Sequence, residues 1–221
     1  MTRTLAAIAL LAVVTGCSQS AQQSSQSSQG AQAQTASPAP ISNPIDFPLY
    51  QQSTVIGAHD FKQSAGSATM SGTEVIAQNA ATLSELSSWI KGVDTAPPAG
   101  YTVLPSSTGY DTARAKAQSM GMDFAVFTHS VNGQKRALVV LAVDPKIFDE
   151  KAGMVLTAIS KFHMLPQSMR DSIDSQVKSR TGYTVSDALN PNTPLGGAVA
   201  AVNTLHDSGQ RGIVLIDGAK Q

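Results

Sequence analysis

Residues 123–143 read DFAVFTHSVNGQKRALVVLAV. Two runs rich in β-branched, aromatic and apolar residues, Asp123–Val131 and Gln134–Val143, flank Asn132-Gly133. That dipeptide tolerates positive φ at both positions, as a two-residue hairpin turn requires. The second run is unbroken apolar from Ala137 to Val143, which predicts a central strand covered on both faces.

Working back toward the N-terminus, Thr54–Phe61 and Ala68–Gln78 read as two more strands around a turn at Ser64-Ala65-Gly66. Thr82-Leu83-Ser84-Glu85 is a capping box, in which hydroxyl and carboxylate each accept from the other residue's backbone amide. Leu83, Leu86, Trp89 and Ile90 then share one helical face, and Gly92 is the expected stop. Ala96-Pro97-Pro98-Ala99-Gly100 is a loop. A short Ala-rich helix is expected over Asp111–Ser119, with Ala113, Ala117 and Met120 facing inward and Gly121 ending it.

Beyond the hairpin, Phe148–Phe162 carries an apolar stripe of Ala152, Val155, Leu156, Ile159 and Phe162. Pro166 opens another helix, with Met169, Ile173 and Val177 at fourfold spacing and Gly182 as its stop. Met154, Met164 and Met169 read as core filler. Thr193-Pro194 caps a helix through Gly196, Gly197, Ala198, Ala200 and Ala201, and Gly212–Asp217 is a last strand. The expected fold is α+β, an antiparallel or mixed sheet with helices packed on it. Strand-strand-helix occurs twice; a duplicated unit and an independent recurrence of a common arrangement both account for it. Residues 45–221 form a single α+β domain in this reading, with a subdivision near 95–105 as the alternative.

The N-terminus is organised differently. Arg3 precedes an uncharged apolar run, Leu5–Val14, and then Val14-Thr15-Gly16-Cys17. The run is too short for a bilayer, which takes about 20 residues, and suits the core of a secretory signal. VTGC resembles the lipobox of bacterial lipoproteins. The resemblance implies that residues 1–16 are a signal peptide and that Cys17 carries the lipid anchor. Ser18, where an Asp favours inner-membrane retention, implies an outer-membrane address facing the periplasm in a Gram-negative host. Two or more acyl chains hold firmly, at about 0.8 kcal/mol per buried CH₂. With Cys17 lipidated, the chain's single cysteine is spent on location.

Residues 18–44 are uncharged and dominated by Ser, Gln, Ala and Pro, so 17–44 reads as lipidated cysteine plus disordered tether, spanning on the order of 30 Å. Asp46-Phe47-Pro48-Leu49-Tyr50 looks like the start of some uncharacterised bacterial envelope lipoprotein domains, although Gln51-Gln52 stand where Pro-Gly usually follows. No characterised family is resembled by the folded part.

Charge and motifs exclude more than they assign. Fifteen basic and fifteen acidic residues leave no surplus for nucleic acid. The four histidines, His59, His129, His163 and His206, sit in no zinc spacing, and no G-x-S-x-G elbow is present. No metal, cofactor or catalytic residue is assigned. Gly196 and Gly197 at a helix start are candidate ligand contacts, since such a start exposes amides to an anion; close packing is the competing reading. Trp89 is a candidate partner contact that competes with a core role. The favoured reading is a lipid-anchored, non-enzymatic interaction or accessory module of the cell envelope, touching the membrane through Cys17 and an envelope protein through its folded part. A small-molecule or glycan-binding module, with Trp89, Tyr101, Tyr110 or Tyr183 lining a pocket, is the alternative. An envelope hydrolase is the second.

Overall fold

The Asn132-Gly133 turn forms as its residue types require, with φ of +51° at Asn132 and +77° at Gly133. The computed structural model describes residues 41–65, 68–148, 161–181, 183–190 and 192–220. The signal peptide, Cys17, the tether up to Pro40, Gly66, Gly182 and residues 149–160 of the expected Phe148–Phe162 helix lie outside the described residues.

Among the described residues six strands make one antiparallel sheet: β1 (Thr54–Ala65), β2 (Ala68–Asn79), β3 (Thr102–Val103), β4 (Met122–Val131), β5 (Gln134–Val143) and β6 (Arg211–Lys220). The order is β1-β2-β6-β5-β4-β3. The C-terminal strand therefore sits between the two hairpins, paired through Val75↔Leu215 on one side and Val140↔Leu215 on the other. β5 is central, as its apolar run predicts. β3 is a two-residue edge that pairs Thr102 with Thr128, too short to be legible in advance.

Among the described residues five α-helices accompany the sheet: α1 (Leu83–Thr95), α2 (Thr108–Ser119), α3 (Gln167–Thr181), α4 (Val185–Leu189) and α5 (Pro194–Ser208). On the front face, α1 lays Leu86 and Ile90 against Ala125, Phe127, Leu138, Val140 and Leu215, all fully buried. Ile45 and Phe47 of the entering chain complete this core, Phe47 meeting Phe127 at 5.2 Å between ring centroids. On the back face, α5 packs Ala198, Ala201 and Leu205 on Ile76, with Ile56 and Val214 beside them. Ala117 and Tyr110 of α2 join Met122, Phe124 and Val143 on the same side.

Several expectations need correction. Gly92 does not stop α1, which runs to Thr95 and ends at Ala96, whose amide donates to the Gly92 carbonyl. A helix-interior glycine costs only about 1 kcal/mol, and continuing places Val93 against the front core. α2 starts at Thr108, capped by Ser107. Its inner stripe is Tyr110, Ala113 and Ala117, while Met120 is the C-cap and 46% exposed. Met164 and Met169 are exposed, so neither fills the core. α4 escaped the pattern because it has five residues; its Thr184–Asp187 capping box holds it.

Candidate functional site

Three polar clusters depart from the apolar sheet. On the front face, β4, β5 and β6 bring Asp217 to His129 and Arg136, each more than eighty residues from it in sequence. Asp217 Oδ1 lies 2.8 Å from His129 Nε2, and Arg136 Nε donates to both carboxylate oxygens at 3.0 and 3.1 Å. Arg136 also donates to the Asp217 carbonyl. The His129 and Asp217 side chains are only 9% and 11% exposed. Tyr101 stacks on the imidazole with ring centroids 4.7 Å apart and donates its hydroxyl to the Asp46 carbonyl. Burial first, then the Asp217 and Asp46 charges, push that phenol up to about 12. The cluster thus closes the polar end of the front core and ties the entering chain to it.

The second cluster lines a cleft of about 510 Å³ between α1 and α2. Ser84, Ser87, Ser88 and Lys91 project from α1, and Arg114 and Gln118 from α2. At its base Arg114 bonds Asp123 through Nε at 2.7 Å and Asp94 through Nη1 at 3.0 Å. The Asp123 side chain is 2% exposed. Two carboxylates on one guanidinium give a paired arrangement that burial tolerates. The hydrogen bond to Asp123, ahead of every other influence, raises the guanidinium further above its usual range.

The third cluster lies on the back face under α5. His59 and Glu74 are cross-strand partners on β1 and β2. The Tyr183 hydroxyl donates to the Lys62 carbonyl. Burial raises Glu74 to about 7 and lowers His59. Gly196 and Gly197 both belong here. A Cβ on Gly196 would lie 1.9 Å from the Asn190 carbonyl oxygen, and one on Gly197 would lie 2.4 Å from His59 Cε1. The Gly196 amide donates to Thr193 Oγ1 and the Gly197 amide to the Thr193 carbonyl. Close approach, rather than an open nest of amides, is what these two glycines provide.

The aromatic candidates do not converge. Trp89 is half-buried against the front core, with Tyr50 6.0 Å away. Tyr101 belongs to the Asp217 cluster, Tyr110 packs on Phe124, and Tyr183 sits beside β1. Cys17 is outside the described residues. Asp217, Arg136 and Glu74 escaped sequence reasoning, since Asp217 and Glu74 are single charges in plausible strands and Arg136 stands with Lys135 at the polar start of one. For Asp217 and Arg136 the signal available was a charge on the face that Leu215 and Val140 mark as core; Glu74 lies on the opposite face, in step with Ile76.

Among the described residues no group of three His, Cys, Asp or Glu side chains could hold a metal, and no helix is long and apolar enough to cross a membrane. Compared with known proteins, the chain matches no family, no curated sequence and no solved structure.

Proposed function

We propose that this is a lipid-anchored protein of the bacterial cell envelope, held by Cys17 and working as a non-enzymatic interaction or accessory module. The order of the N-terminal sequence carries the reading: Arg3, the apolar Leu5–Val14, VTGC at 14–17, then an uncharged tether before the buried Ile45 and Phe47. In a Gram-negative host Ser18 directs it to the outer membrane, facing the periplasm. Replacing Cys17→Ser and labelling cells with palmitate tests the anchor. Loss of label together with an uncleaved or soluble product is expected; undiminished labelling overturns it. Crosslinking from the envelope of living cells then tests for the protein partner.

A second reading, binding of a small polar molecule, is favoured by the cleft between α1 and α2. Its lining offers hydroxyls, Lys91 and Arg114 with no aromatic ring among them, so it suits a hydrogen-bonding rather than a stacking ligand. Amide shifts of Ser84–Thr95 on titrating neutral and acidic sugars would support it, and unchanged shifts across that panel would count against it.

A further inference from the structure

The seam between β1 and α5 is closed by one side chain. The His59 ring lies against α5 so tightly that a Cβ on Gly197 would meet Cε1 at 2.4 Å. On its own strand, a Cβ on Gly57 would lie 2.8 Å from Nε2 and 3.0 Å from Ala201 Cβ. His59 Nε2 is shut off from solvent and has no hydrogen-bond partner among the described residues. Directly across the strand pair stands Glu74, half-buried, with Ile216 as its neighbour on β6.

Among the described residues, the groups that face Glu74 give its carboxylate no permanent cation. β1 supplies His59, and β6 supplies Ile216. Ahead of α4 comes Tyr183, whose phenol is raised by burial and then by the Glu74 charge. Asp187 of α4 is acidic, bound to Thr184, and influenced by Lys178 of α3. From α5 the back face meets Gly197, Ala198, Ala201 and Leu205, none of them charged. A carboxylate without a partner is costly in such a place, whereas a neutral carboxyl is not.

We propose that the β1–α5 seam is a proton-gated latch, dry and closed while Glu74 carries its proton and opened to water when Glu74 ionises. Water entering the seam hydrates the carboxylate and the partnerless His59 nitrogen together, so both polar groups favour the open form once the charge is present. Opening lifts Ala198, Ala201 and Leu205 from the sheet and uncovers Ile56, Ile76 and Val214. The latch stands independently of the envelope reading.

With a closed-form pKa of about 7 against 4.5 for the free carboxyl, proton linkage makes seam opening about tenfold more frequent at pH 8 than at pH 6. Hydrogen exchange of the Ala198–Leu205 amides in the full chain, divided by intrinsic rates, reads this directly. The wild type is expected to lose about tenfold in protection over that interval and Glu74→Gln to lose none; Tyr183→Phe, which keeps Glu74, should behave as wild type. An equal pH dependence in Glu74→Gln overturns the latch. If that variant does not fold, ¹³C titration of the wild-type Glu74 carboxyl decides. Its midpoint must lie near 7 and coincide with the exchange midpoint, and a midpoint near 4.5 overturns the proposal.

Discussion

Asp217 and Glu74 occupy adjacent strands one residue out of step, Thr73 pairing with Asp217 and Glu74 with Ile216. The offset puts their side chains on opposite faces of the sheet. On the front, Asp217 is gripped by Arg136 through both oxygens and by His129. On the back, Glu74 has no permanent cation among the described residues and its pKa rises to about 7. The sheet therefore buries one carboxylate with its charge compensated and the other by holding its proton. The difference separates a carboxylate held by a permanent guanidinium from one whose contribution depends on pH.

Breaking the front cluster should have the largest effect. Asp217→Ala leaves Arg136 and His129 nearly buried without their shared acceptor, and removing one partner of a buried pair costs about 3–5 kcal/mol. Urea denaturation at pH 7 measures it. A loss below about 1 kcal/mol would show that water already compensates these charges in the native protein.

The back face should respond with the opposite sign. Unfolded Glu74 releases its proton near 4.5 and the folded chain keeps it to about 7. Its contribution is therefore fully present below 4.5, is lost as pH rises to about 7, and is constant above. The loss is on the order of 3 kcal/mol. Glu74→Gln should accordingly stabilise the protein by about that amount at pH 8 and by almost nothing at pH 4. Denaturation curves at the two pH values test this, and a gain independent of pH would assign the effect to packing.

Local order was legible and long-range placement was not. The Asn132-Gly133 turn, both hairpins and the Thr82–Glu85 box are read within a few residues of sequence, where propensity and side-chain capping act. Nothing local says that β6 inserts between the hairpins, and that insertion is what brings Asp217 to His129 and Arg136. Gly92 and Met120 misled for the same reason. A glycine's helix cost is small beside the packing of Val93, and Met120, as the C-cap, lies past the last turn of α2 and leaves the inner face that Ala113 and Ala117 keep. Gly196 and Gly197 stood out as small residues at a helix start, but only the positions of Asn190 and His59 show what their smallness serves.

Those two glycines give a smaller effect that locates the back-face contacts. Gly196→Ala meets the Asn190 backbone, which cannot swing aside, whereas Gly197→Ala meets an imidazole that can. Overpacking costs about 1–3 kcal/mol, and the backbone clash should fall at the upper end. His59→Ala should remove most of the Gly197→Ala penalty and none of the Gly196→Ala penalty. Additivity of His59→Ala with Gly197→Ala in a double-mutant cycle would show that the ring does not fill the seam.

The smallest effects should come from the helix caps, and they too differ between faces. Thr82 caps α1 by accepting from the Glu85 amide at 3.3 Å, while Glu85 separately holds the Thr82 backbone amide. Thr82→Ala therefore keeps half of the box. Thr193 caps α5 by accepting from the Gly196 amide, and its one hydroxyl proton is shared between the carbonyls of Asp187 and Asn190. It thus ties α4, the connecting turn and α5 together. Cap removal costs about 0.5–2 kcal/mol; Thr82→Ala should lie near the middle of that range and Thr193→Ala at its top. The back-face helices depend more on this one hydroxyl because α5 meets the sheet through alanines and glycines, whereas Leu86 and Ile90 hold α1 whatever its cap does. Equal midpoint shifts in urea would mean that α5 owes its position to Leu205 and the alanines rather than to its cap.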